Sequence, residues 1–214
     1  MAKNIKYPAI QCAPKTGGED ILHGEGKIAS VQDYWRWAHS DLNSNAERGK
    51  FAEYLVSLAL DCAQGTSDQW GAYDILWEAE GVKVEVKASA YLQIWGQKAL
   101  TSPTFGTRPS HKWNPEDNSY EEEVRRQADV YVFALENWTA QDVAAPNPLD
   151  LSQWEFYVLP TSKLNGRGMQ ASVSLRQLVK LDARKATELE GLADAVREAA
   201  RENAGLGLPD EGSL

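Results

Sequence analysis

Cysteine is scarce in this chain. Two residues, Cys12 and Cys62, among 214 exclude a disulfide framework and a four-cysteine zinc site. The three histidines, His23, His39 and His111, share no metal-ligand spacing. No apolar run approaches the roughly 18 residues of a membrane span. The first residues, MAKNIKYPAIQCAPK, lack the continuous apolar stretch of a secretory signal. These absences lead to the expectation of a cytoplasmic chain with no membrane association. Internal repeats, a glycine-rich phosphate loop and a nucleophile elbow are also lacking. Basic residues are outnumbered: Lys plus Arg is 22 against 31 Asp plus Glu, a net charge of −9. Taken whole, that balance argues against a nucleic-acid partner.

What is present is a globular composition, with 43% hydrophobic and 25% charged residues. The length suits one core. Residues 1–28, with Pro8, Pro14 and four glycines, read as an irregular segment. Ser30 and Asp33 mark a helix start before Val31, Tyr34, Trp35 and Ala38, so a helix over 31–40 is predicted. Ser44-x-x-Glu47 is a capping-box pattern. The helix after it, 46–62, carries Phe51, Leu55, Leu58 and Cys62 on one stripe. Val56 and Leu60 lie on a second face, so it reads as apolar nearly all round and buried.

Two strands should follow around a turn at Glu80-Gly81; in the second, Val82, Val84 and Val86 alternate with Lys83, Glu85 and Lys87. Residues 101–119 read as a long loop and EEEVRR as a charged turn. Strands are expected at 129–135 and in WEFYVLP, and a helix in SLRQLVKL. Residues 183–203 read as an exposed helix before a tail. Trp35, Trp37, Trp70 and Trp77 are assigned to the core. The division is thus 1–28 irregular, 29–182 the main domain, and 183–214 a C-terminal helix and tail. The fold class is α/β (α+β), a central mixed sheet flanked by helices.

Three residues carry a chemistry. Glu85 and Lys87 are two apart on one strand, so both project to one face. A hairpin would let Asp74, in YDILW, converge on Glu85. Paired carboxylates form a hard-oxygen site suited to Mg²⁺ or Mn²⁺. A lysine beside them can orient water or offset charge on a phosphate. Asp, about ten residues, then Glu-x-Lys therefore fits metal-assisted phosphodiester hydrolysis. VKVEVK is equally what an amphipathic surface strand looks like. Glu53 lies in the apolar helix, where a carboxylate needs a cation or donors. A nearby metal or lysine would supply one; so would pairing with Lys50 or Ser57 at the helix surface.

RGKFAEYLV, YDILW, VKVEVKASAYLQ and ADVYVFAL together resemble the PD-(D/E)XK nuclease superfamily, of restriction-endonuclease-like fold. The resemblance covers about 44–136. It implies a core of helix, three antiparallel strands, helix and strand. It further implies that Asp74 and Glu85 bind Mg²⁺ (or Mn²⁺), that Lys87 assists the attacking water, and that Glu53 completes the site. Tyr73 stands where the motif's name has proline, a position that varies. WRWAHSDL, NAERG-x-x-AEYL, EVKASAYLQ and RRQADVYVF resemble blocks found together in a bacterial subfamily, which adds no activity beyond the superfamily's. A metal-dependent nuclease follows, with DNA favoured over RNA. A homodimer is left open, because many members pair to cut two strands. The rivals are a catalytically silent member of the fold that binds nucleic acid or protein, and an unrelated α/β protein with an accidental strand.

Ser89 and Gln93, just after Glu-x-Lys, are accessory candidates; both also suit a polar strand end. Gln127 and Asp129 read as a strand-entry turn. Trp95 and Trp113 adjoin a basic loop where an aromatic ring could stack on a base; packing is the commoner fate of tryptophan. His111 sits between Arg108 and Lys112. The charge is unevenly placed. Residues 114–214 hold 10 basic and 18 acidic groups, net −8. Within 81–113 five basic residues (Lys83, Lys87, Lys98, Arg108, Lys112) face one acid, Glu85. Within 161–185 six, Arg167 among them, face Asp182 alone. Lys98, Arg108, Lys112, Trp95 and Arg167 are therefore the candidate nucleic-acid contacts.

Overall fold

A computed structural model describes residues 7, 10, 12–114 and 116–205. The alternation around Glu85 becomes strand β4 (Val82–Ala90): Val82, Val84 and Val86 are buried, while Lys83, Glu85 and Lys87 are partly exposed. It pairs antiparallel with β3 (Ile75–Trp77) across the expected turn, where Gly81 takes φ +67°. The continuous apolar run before Glu136 becomes β8 (Val130–Glu136), buried at every position as a central strand should be. It lies parallel to β4 and antiparallel to β9 (Trp154–Pro160), which in turn pairs with β11 (Arg184–Ala186). The sheet order is β11-β9-β8-β4-β3.

Helices α2 (Asn45–Ala59) and α5 (Leu192–Asn203) cover one face. Ala52, Leu55, Val56, Leu192, Val196 and Ala199 pack there on Val84, Val132 and Val158. The opposite face carries Phe133, Leu135 and Leu159 against Phe105, Leu164, Val173 and Leu178. Those come from β5 (Thr104–Gly106), α3 (Thr161–Asn165), β10 (Ser172–Ser174) and α4 (Leu175–Lys180). The fold is thus α+β, with a mixed central sheet between helices. Among the described residues no helix is long and apolar enough to cross a membrane.

Several local expectations are corrected. The segment read as irregular holds a hairpin of β1 (Asp20–His23) and β2 (Gly26–Ser30); residues 1–6, 8, 9 and 11 lie outside the described set. The next helix, α1 (Val31–His39), starts as expected, with Ser30 and Asp33 closing a full capping box. At Ser44 only half the box forms: its hydroxyl accepts from the Glu47 N–H, and the Glu47 carboxylate meets His39 instead. Helix α2 is not buried all round, since Tyr54 and Leu58 face solvent and Arg48 is buried.

The supposed loop 101–119 contains β5 and β6 (Ser110–Asn114), and the charged turn is strand β7 (Ser119–Arg125). β6 and β7 pair as a solvent-exposed hairpin, supported across the strands by Lys112–Glu121 at 3.0 Å, while Arg125–Glu123 at 3.0 Å runs along β7. The order implied by the superfamily also differs. Two antiparallel strands precede the crossover, and among the described residues no helix lies between β4 and β8.

Trp77 is buried, but Trp35 and Trp70 are exposed and Trp37 is 85% exposed. The helix read as exposed at 183–203 is shorter and half-buried, preceded by β11. Leu192, Val196 and Ala199 recur at i, i+4 and i+7, the spacing of one helix face. Arg197 also lies 5.1 Å from the Trp77 ring and 2.8 Å from Glu80, tying α5 to the β3–β4 turn. Val196→Ala should therefore cost about 2 kcal/mol. The readout is a lower urea midpoint at unchanged slope; an unmoved midpoint would show α5 to be peripheral.

Candidate active site

β3 has three residues and β4 has nine. Beyond the Ile75–Val84 pair, β4 therefore loses its strand neighbour. The chain entering β3 supplies a substitute. The Asp74 N–H donates to the Val84 carbonyl at 3.1 Å, and its Oδ2 accepts the Val86 N–H at 2.7 Å. A carboxylate thus stands in the ladder where a backbone carbonyl would. Lys87 Nζ lies 2.6 Å from Glu85 Oε1 and 3.8 Å from Asp74 Oδ2. Glu53, from α2, pairs with Lys50. The helix-surface pairing does form, and Glu53 still feels the charges of Asp74 and Lys87.

Burial, then the charge of Asp74, pushes the Glu85 carboxyl above the ordinary glutamate value, against the pull of Lys87. Burial likewise raises Glu53; Lys50 opposes that shift and Asp74 adds to it. For Lys87 burial works downward, but Glu85 and Asp74 outweigh it and its pKa stands above the usual lysine value. Three carboxylates therefore share two ammonium groups. As hard oxygen donors with surplus negative charge they suit Mg²⁺ or Mn²⁺ in chemistry. Among the described residues no three His, Cys, Asp or Glu side chains are gathered closely enough to hold an ion as they stand. The Lys87 ammonium takes the place between Asp74 and Glu85, and a cation there would require it to turn aside.

The accessory candidates separate. Ser89 is buried, on the same face of β4 as Glu85 and Lys87. Gln93 belongs elsewhere: its Oε1 accepts from Arg48 at 3.1 Å and its amide donates to the Ala90 carbonyl. Trp95, Lys98 and Arg108 are exposed. Arg167 donates to the Ser172 carbonyl at 3.3 Å and pairs with Gln170 within its own loop. Gln127 donates to the Ser110 carbonyl and Asp129 accepts the Lys83 N–H, both strand-entry roles. His111 Nδ1 meets the Glu121 carbonyl oxygen. The basic stretch 161–185 is partly neutralised: Lys163 pairs with Glu202, Arg184 with Glu198 and Glu202, and Lys185 with Glu155. As a phosphate surface it is weaker than its composition implies, because acids of α5 and β9 fold onto it.

Two groups escaped sequence reasoning. Arg48 and Glu136 form a buried pair at 3.5 Å, with side chains 3% and 1% exposed. Arg48 also donates to the Asn43 carbonyl and to Gln93 and pairs with Asn45, while Glu136 Oε1 has no hydrogen-bond partner. The spacing was informative: Arg48 shares a stripe with Ala52, Leu55 and Val56. Tyr131 stands in register with Glu85. Burial, reinforced by the Glu85 charge, holds its hydroxyl well above the ordinary tyrosine range, so it stays protonated.

Fold and cluster define an α+β protein whose mixed sheet presents an Asp, Glu and Lys group at the edge where one strand stops. Residues 30–177 match the family model described as bacteriophage T4 endonuclease IV. The chain belongs to that family, which is named for an endonuclease. No curated protein and no solved structure matches it.

Proposed function

We propose that this chain is a Mg²⁺- or Mn²⁺-dependent nuclease of the PD-(D/E)XK type, hydrolysing phosphodiester bonds of DNA. The observation that carries this reading is the gathering of Asp74, Glu85 and Lys87 where β3 stops pairing with β4. Family membership supports the nuclease class. Asp74 and Glu85 would hold the ion, with Glu53 directly or through water. The ion when bound would supply charge to offset that building on the phosphate and acidify a water. Lys87 stays an ammonium near neutral pH, so it donates rather than accepts: it positions the attacking water and offsets charge on phosphorus. Hydrolysis breaks one P–O ester bond and leaves a phosphate monoester and a hydroxyl.

The place of Lys87 between the two carboxylates favours a second reading, a silent module of the same fold that does not bind metal. Purified protein with DNA and with RNA, with and without Mg²⁺ or Mn²⁺, decides. Cleavage should need metal and be lost in Lys87→Ala. Activity that survives without metal, or in that variant, sinks the metal-dependent PD-(D/E)XK assignment; calorimetric Mn²⁺ binding by the wild type sinks the silent one.

A further inference from the structure

A cavity of about 740 Å³ opens beside the acidic cluster, with Glu53 and Asp74 in one wall. Its volume lies within the ~300–1,000 Å³ of small-ligand pockets. Trp70 and Trp113 form part of the wall, their ring centroids 5.7 Å apart at 55°. Trp70 remains 69% exposed, which a tryptophan placed only for packing would not be. The Trp70 backbone N–H donates to Asp68 Oδ1 at 2.9 Å, which fixes the loop that carries the ring, and the Trp113 ring itself is held by its Nε1 donating to Asn118 Oδ1 at 3.0 Å. A side chain at Gly71 would sit 2.8 Å from Asp68 Oδ2 and 2.9 Å from the Tyr73 carbonyl oxygen, so the loop carrying Trp70 admits only glycine there. Lys50 and Lys112 also line the cavity, each paired with a carboxylate, Glu53 and Glu121, that a phosphate could replace.

Resting on the nuclease reading for its ligand class, we infer that this cavity is a nucleobase pocket. Trp70 and Trp113 stack on one unstacked base, and Lys112 meets the adjoining backbone phosphate. Asp74 belongs both to the acidic cluster and to the lining of the cavity, so a strand held at Asp74 passes beside it. A base inside a regular duplex is already stacked, so the pocket takes one from a single strand or one rotated out of a duplex. Aromatic rings suit this because every base has a π-face.

The test is tryptophan fluorescence and binding of the full chain in chelator, so that no cleavage is needed. Three probes are used: a short single-stranded oligodeoxynucleotide, the same sequence in a hairpin duplex, and an abasic oligomer of equal phosphate count. The base-bearing strand should quench fluorescence and bind more tightly than the abasic one. Each of Trp70→Ala and Trp113→Ala should weaken it ~10-fold, with the abasic oligomer unaffected. Trp70→Phe should retain most of the affinity, and Trp37→Ala, on α1, all of it. Loss in the alanine variants supports the pocket whichever base-bearing probe shows it, and the probe identifies the source of the base. Equal binding of base-bearing and abasic strands, or alanine variants that bind as the wild type does, overturns it. Cleavage with an unchanged KM in both alanine variants would also overturn the pocket while leaving the nuclease standing. Tryptophan-dependent quenching without cleavage under any metal would support the pocket while the nuclease reading fell.

Discussion

Asp74→Asn is expected to lower phosphodiester cleavage by at least ~100-fold while leaving the thermal midpoint unchanged or raised. The amide oxygen of asparagine can still accept the Val86 N–H, so the rung between Asp74 and β4 survives. What disappears is the charge. Glu85 and Glu53 have folded-state pKa values above their unfolded ones, with Asp74 contributing to both shifts. A raised carboxyl favours the fold when protonated, and that contribution fades as pH rises from the unfolded value through the folded one. Removing Asp74's charge lowers both values and so restores stability above that window, while the loss of its pairing with Lys87 offsets part of that gain. Asp74→Ala would differ, since the Val86 N–H would lose its acceptor, costing ~1–3 kcal/mol. Lost activity at retained stability in the asparagine variant separates chemistry from scaffolding. Cleavage within ~10-fold of wild type would remove Asp74 from the reaction.

The largest stability effect is expected at Arg48→Met, about 3–5 kcal/mol. Arg48 is the cation facing Glu136, whose second carboxyl oxygen already lacks a partner. Burial pushes the Glu136 carboxyl upward and Arg48 pulls it down. Without Arg48 the folded-state value climbs further above the unfolded one. The penalty should then shrink as pH falls through the raised folded-state value, where Glu136 protonates, before the ordinary carboxylate range is reached. Arg48→Met with Glu136→Leu should cost much less than the two single changes summed. Urea unfolding of the four proteins across pH measures this; additive losses would show that the pair is not coupled.

The parts legible in the sequence are those with local causes. Ser30 and Asp33 announce α1, the Val-x-Val-x-Val alternation announces β4, and Glu80-Gly81 announces its turn. Asp74, Glu85 and Lys87 follow from that hairpin, because adjacent strands bring them together whatever the rest of the chain does. The pairing of β4 with β8 was not legible: it joins Val84 to Val130 across a long crossover, and no local pattern states a partner. The strand β7 was hidden by its composition, since its six exposed positions, three of them glutamates, gain their strand character only from pairing with β6. Gln93 looked like part of the site by proximity in sequence, yet the bend after β4 turns it toward Arg48. The tryptophans misled because burial was inferred from residue type, while Trp70 sits in a loop tightened around Asp68 and Gly71.

The hydrogen bond from Val86 to Asp74 has one more consequence. The carboxylate proposed to act in hydrolysis is also a rung of the central sheet. Its rotamer freedom is surrendered when β3 and β4 zip together, long before any substrate arrives. Little conformational entropy then remains to be lost at that side chain on binding. Preorganisation at Asp74 is in this sense a by-product of strand pairing, and loosening the β3–β4 edge would loosen the site with it.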